Sequence, residues 1–195
     1  MTATRVILIR HAEPHEEVRG RVYGRLDPQL SVRGVAHARE LAATLASEPI
    51  AAIYSSPKRR ALETAAPLGA PVVVDDLREL DFGDLEGLTP DEAAQRYPDV
   101  SRWLERPSTV TFPGGESAAA LKDRALAAVA EIVARHRDET VAVFSHSVVI
   151  RTILADALAI DPDGLFRFEI AYGSISVVEW FDGRPFVRVV NAVRL

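Results

Sequence analysis

Two histidines and a pair of arginines sit where an α/β protein would place chemistry. His11 follows Arg10 at the end of the apolar run Val6-Ile7-Leu8-Ile9, and His146 follows Ser145 after Val141-Ala142-Val143-Phe144. A third apolar stretch, Ala51-Ala52-Ile53-Tyr54, leads into Ser55-Ser56-Pro57-Lys58-Arg59-Arg60. Imidazole supplies a nucleophile or proton carrier, the arginine fork matches phosphate oxygens, and a helix start adds unpaired amide donors. Two imidazoles and two guanidinium groups together predict an anion pocket. A single strand-end histidine would more often be a hydrogen-bonded structural group; here several segments agree.

The elements that must position these residues follow from hydropathy. Val6–Ile9, Ala51–Ser55, Pro71–Val74 and Thr140–Phe144 read as short buried strands, and ligand sites in α/β sheets gather beyond the carboxyl ends of such strands. Helices are predicted from Ser31 to Ser47 with Ser31 as cap, from Pro57 to Leu68, from Ser117 to Arg137 and from Val148 to Leu158. Thr89-Pro90-Asp91-Glu92 opens a short helix inside a loosely patterned stretch. Phe168 to Val190 reads as two or three antiparallel strands turning at Asp182-Gly183. The expected architecture is a three-layer α/β sandwich whose mostly parallel central sheet is flanked by helices, with an antiparallel carboxyl-terminal edge. One domain spans residues 1–195, with a lid-like insertion at about 84–117.

Composition narrows the classes. The 195 residues, 48% hydrophobic, suffice for one substantial core, and a net charge of −5 argues against a general nucleic-acid binder. The absence of cysteine removes disulfides, thiolate metal sites and thiol nucleophiles. The apolar run after the amino terminus is too short for a secretory leader and no run approaches a membrane span, so no membrane partner and cytoplasmic residence are expected. His11 and His15 lie four apart among Glu13, Glu16 and Glu17, but Pro14 disfavours the helix that would align them, and no metal is expected. Neither a Gly-x-Ser-x-Gly elbow, a dinucleotide fingerprint nor a Walker loop occurs, and no cofactor is expected. His37 and His136 read as surface residues of helices, while Trp103 and Phe112 would either cap a substrate pocket or pack the insertion.

The segment Arg10-His11-Ala12-Glu13 resembles the Arg-His-Gly-Glu signature of the histidine phosphatase, or phosphoglycerate-mutase-like, superfamily, and further landmarks follow in order. Gly20-Arg21, Gly24, Asp27 and Leu30-Ser31 are similar to its early glycines and Pro-Leu-Thr segment; Ser55-Ser56-Pro57 to Ala65 resembles Ser-Ser-Pro, Arg-Ala, Gln-Thr-Ala. Phe112-Pro113-Gly114-Gly115-Glu116-Ser117 resembles a landmark of its phosphatase branches, and Ser145-His146-Ser147 to Arg151 its second histidine segment. The resemblance implies a metal-independent phosphatase acting on a small phosphorylated metabolite. His11 would be the nucleophile, Arg10, Arg60 and His146 would surround the phosphoryl oxygens, and Glu79 would be the proton donor. Arg59 is the alternative to Arg60; Asp81 and Glu86, beside Glu79, read as bland.

Glu17, Tyr23, Gly24 and Ser147 are the candidate substrate-binding residues. The stretch Tyr23-Gly24-Arg25-Leu26-Asp27 is somewhat similar to α-ribazole phosphatases, and sugar-phosphate phosphatases share most of it. Two positions depart from the family: Ala12 replaces glycine, and Glu17 stands where many members carry a phosphate-contacting asparagine. A phosphoglycerate-type mutase and a non-catalytic phosphate-ligand sensor are the alternative readings. A homodimer is possible, through the carboxyl-terminal strands.

Overall fold

The computed structural model describes residues 3–100 and 102–194. Its strands are β1 (Thr4–Arg10), β2 (Ile50–Ser55), β3 (Val72–Val73), β4 (Thr140–Ser145), β5 (Ile175–Phe181) and β6 (Arg184–Ala192). They form one six-stranded sheet in the order β3-β2-β4-β1-β5-β6. β1 and β2 run parallel to β4, and β3 parallel to β2, while β5 and β6 are antiparallel. The helices are α1 (Val32–Leu45), α2 (Arg59–Ala65), α3 (Pro90–Arg96), α4 (Ala118–Arg135) and α5 (Ser147–Ala157). The expected α/β class and antiparallel edge are present.

Strand periodicity divides the core. Ile7 and Ile9 of β1, with Ala142 and Phe144 of β4, pack against Leu41 and Leu45 of α1 and Ala65 of α2. Val6, Leu8, Val141 and Val143 face the opposite way, against Leu121, Ala125 and Val129 of α4 and Val149, Ile150 and Ile153 of α5. Each fully buried branched side chain of these layers is worth roughly 1.5–3 kcal/mol, which fixes which residues face inward and hence where every strand ends. Ser31 caps α1 by accepting the Gly34 N–H, Ser117 caps α4 through Ala120, and Thr89 with Glu92 forms a reciprocal capping box on α3.

Some bounds differ from expectation. β3 is only two exposed residues and α2 begins at Arg59, while the carboxyl-terminal segment holds two strands, the smaller of the two numbers expected. The carbonyls of Phe168 and Ile170 accept from the side chains of Arg151 and Arg10, so that stretch forms no ladder. β5 and β6 turn at Asp182 and Gly183, both with positive φ, as a two-residue hairpin requires. Trp103 and Phe112 pack edge-on with Phe82, and Trp103 also with Phe166, so these aromatics bind the insertion to the core instead of capping a pocket. Among the described residues no helix is long and apolar enough to cross a membrane.

Candidate active site

Register brings the two histidines together. Ile9 pairs with Phe144 and Arg10 with Ser145, so His11 and His146 each stand one residue beyond adjacent strand ends. The His11 N–H donates to the Ser145 carbonyl at 2.9 Å, and the two imidazole centroids lie 5.1 Å apart. β2 ends on the other side of β4, where the Ser56 N–H reaches the Phe144 carbonyl at 2.9 Å and α2 then carries Arg60 inward. Arg60 is 0% exposed, His146 0% and His11 1%.

Hydrogen bonds set the protonation of each imidazole. His11 Nδ1 is 2.8 Å from the Ala12 carbonyl, which can only accept; Nδ1 therefore carries the proton and Nε2 the lone pair. Burial first, then the positive charges of Arg60 and Arg10, hold His11 well below the usual imidazole range, so it stays neutral at neutral pH. The same causes, burial foremost, keep His146 neutral. Ser56 Oγ accepts the Lys58 N–H and lies 2.7 Å from His146 Nε2, so the two share one hydrogen and hold the His146 ring in place.

The arginines are held from outside the pocket. Arg60 donates to the carbonyls of Leu26, at 2.8 Å, and Gly24, at 3.2 Å, and Arg10 to that of Ile170 at 2.6 Å. Arg59, the flanking alternative, instead bonds Glu63 and Gln29 at the surface. Among the described residues four buried side-chain polar atoms lack a partner: Arg10 Nε, Arg60 Nε, His146 Nδ1 and Ser174 Oγ. Three belong to this cluster, two guanidinium N–H donors and an imidazole nitrogen, and an oxyanion would satisfy the donors.

Glu79 is buried beside them, accepting the Leu80 N–H at 3.0 Å and, at the start of α5, the Val148 N–H at 3.3 Å. Burial raises its pKa, outweighing those two N–H groups and Arg60, which favour the anion. The Arg124 guanidinium fixes the adjoining chain by donating to the carbonyls of Asp76, Arg78 and Glu79 while pairing with Glu116 of the Pro-Gly-Gly-Glu segment.

The remaining candidates divide. Tyr23 stands over the site, its ring centroid 6.5 Å from that of His11 and 5.1 Å from Arg60 Cζ. Gly24 donates its N–H to Glu86 and its carbonyl accepts from Arg60; a Cβ there would lie 1.8 Å from the Leu80 carbonyl oxygen, so only glycine fits. Ser147 begins α5 and accepts a hydrogen bond from Arg151. Glu17 is not brought to the cluster: it is exposed in a short 3-10 turn, its carboxylate 3.7 Å from His15 Nδ1. Ala12 is absent from the positive-φ residues, and its methyl is buried without strain.

Three residues read as bland or surface have more to do. Glu86 accepts the N–H groups of Gly24, Arg25, Leu26 and Phe82, holding the loop whose carbonyls grip Arg60. His136 is half-buried between Tyr54 and Glu139, and His37 packs against Gly173. Tyr172, 5.5 Å from the His11 centroid and 3.9 Å below Arg10 Cζ, was invisible in the sequence because it precedes β5, far from every motif.

Residues 6–193 match the histidine phosphatase superfamily, branch 1. The chain is 37% identical over 193 residues to phosphoserine phosphatase 1 of Hydrogenobacter thermophilus, covering 96% of itself and 92% of that relative. Bacillus stearothermophilus YhfR superposes with a TM-score of 0.91 at 35% identity, over 97% of this chain and 98% of that one. An α-ribazole phosphatase of Shigella flexneri, 23% identical with a TM-score of 0.87 over 98% of each chain, shares the fold. The chain belongs to the histidine phosphatase superfamily, branch 1, and is a phosphoric monoester hydrolase.

Proposed function

We propose that His11, Arg10, Arg60, His146 and Glu79 hydrolyse small phosphomonoesters through a phosphohistidine. The observation carrying this reading is the set of unpartnered buried atoms, the Arg10 and Arg60 Nε–H donors with His146 Nδ1, around a neutral His11. Leaving a buried donor unmade costs roughly 1–3 kcal/mol each, and more when charged, so a site keeps them for a ligand that supplies acceptors. Three equatorial phosphoryl oxygens do so, and their charge grows in the transition state.

In the first step His11 Nε2 attacks phosphorus as the ester P–O bond breaks, and Glu79 gives its proton to the leaving oxygen. In the second, water attacks phosphorus, passes its proton to the Glu79 carboxylate and displaces Nε2, restoring both groups. Raised acidity range at Glu79 and lowered basicity at His11 are the protonation states these steps need.

A cleft beside the site, lined by Glu13, His15, Arg19, Arg21, Tyr23 and Tyr172, holds about 160 Å³. A phosphoserine-sized ester is the favoured substrate, being the one named for the 37% identical relative. A non-catalytic sensor would bind without turnover. The test is His11→Ala on an aryl phosphate with chelator present: wild type releases phosphate undiminished by chelation, and the variant loses at least about a thousandfold. Retained activity in the variant, or isomerised product instead of free phosphate, overturns the reading.

A further inference from the structure

Two tyrosines from opposite ends of the chain meet over the nucleophile. Tyr23 and Tyr172 join hydroxyl to hydroxyl at 2.7 Å, with ring centroids 6.5 and 5.5 Å from that of His11. Each also lies against one guanidinium of the anion cluster, Tyr172 3.9 Å from Arg10 Cζ and Tyr23 5.1 Å from Arg60 Cζ. The pair thus stands beside His11 and also lines the small cavity with Glu13, His15, Arg19 and Arg21.

The wall is mounted on backbone. The Gly173 N–H donates to the carbonyls of Arg10 and His11, at 3.1 and 3.2 Å, so Tyr172 is registered on the nucleophile's own segment. A Cβ on Gly173 would lie 2.2 Å from the His37 ring, leaving that close approach to glycine. Tyr23 is pinned on both sides, where Val22 bonds Leu88 and Gly24 bonds Glu86. Packing alone would place two rings here; it does not require their hydroxyls to meet.

We propose that Tyr23 and Tyr172 together read the leaving group, selecting phosphomonoesters whose leaving group carries charged hydrogen-bonding groups close to the ester oxygen. This rests on the phosphatase reading above. In a bonded hydroxyl pair one O–H donates and the other accepts, which leaves one free hydrogen and unused lone pairs for the cavity. A carboxylate takes the free hydrogen and an ammonium takes a lone pair, so the pair suits a zwitterionic leaving group. The cavity's rim of Glu13 and Glu16 with Arg19 and Arg21 offers both signs of charge in the same way. Burial, and then Tyr172 itself, push the Tyr23 hydroxyl's pKa up, so it remains a donor throughout the working range.

The test compares kcat/KM for phosphoserine and for phenyl phosphate in wild type, Tyr172→Phe and Tyr23→Phe. Both variants keep the ring, and a thermal melt coincident with wild type confirms the fold. The ratio of the two specificity constants is expected to fall about tenfold in each variant, chiefly through KM for phosphoserine, the loss of one hydrogen bond to a charged group. An unchanged ratio in Tyr172→Phe overturns the tyrosine reading while leaving the phosphatase reading intact. Wild type inactive on both esters removes the phosphatase reading, and this inference with it.

Discussion

Opposed displacements of two titrations follow from one burial. In the proposed steps His11 must be neutral to attack, and burial with two arginines lowers its pKa from 6.5; Glu79 must be protonated to assist departure, and burial raises its pKa from 4.5. Activity therefore falls as pH drops through the lowered His11 value, and falls again as pH rises through the raised Glu79 value. The profile of kcat/KM is expected to be bell-shaped, and Glu79→Gln to lose the alkaline limb along with roughly a hundredfold or more in rate on alkyl esters. The loss should be smaller on p-nitrophenyl phosphate, whose leaving group departs without a proton; an intact alkaline limb in the variant would remove Glu79 from the role. At this scale Arg10, His11 and His146 were legible because polar residues after apolar runs mark strand ends, whereas Arg60 was chosen over Arg59 only by the family resemblance. Glu79 was not separable from Asp81 and Glu86 by chemistry alone, since three nearby carboxylates differ only in burial and partners. The structure separates them: Glu79 is buried at the start of α5, Asp81 accepts the Gly83 N–H, and Glu86 organises the Gly24–Leu26 loop.

Among the elements, that loop has the most exacting support. Four backbone N–H groups converge on the Glu86 carboxylate, and the carbonyls of Gly24 and Leu26 turn inward onto Arg60. Glu86→Ala would leave those N–H groups competing for water and release the arginine's clamp. It is expected to lower stability by roughly 2–3 kcal/mol, read as a lower urea midpoint, and to reduce kcat/KM more than it alters the fold of the sheet. Unchanged stability and activity would contradict this account of the loop. Strands and long helices were legible from periodicity and caps, because two buried faces impose apolar runs and one buried face imposes helical spacing. Within residues 84–117 only the helix opened at Thr89 was legible, since the rest takes its order from tertiary contacts such as the Phe82, Trp103 and Phe112 cluster and the Glu116–Arg124 pair, which leave no local repeat. The short β3 was overestimated because its valines are exposed, so the apolar run reports no burial there.

In the whole molecule, function depends on which strands become neighbours. β4 lies between β1 and β2, and this puts His11, His146 and the chain leading to Arg60 side by side, although they are separated in sequence by up to 135 residues. β5 then returns antiparallel to β1, with Ser176 opposite Leu8 and Ile175 opposite Ile9, and delivers Gly173 and Tyr172 to the same end. Parallel pairing was legible from alternating strands and helices, whereas strand order was not, because short buried strands carry interchangeable apolar side chains. His11 Nε2 is the proposed carrier of the phosphoryl group. Rapid quenching during turnover of a radiolabelled phosphomonoester, followed by peptide mapping under alkaline conditions, tests it most directly. Label on His11 that appears within the first turnover, decays with the release of free phosphate and is absent from His11→Ala is the predicted result; full turnover with no label on His11 would contradict it.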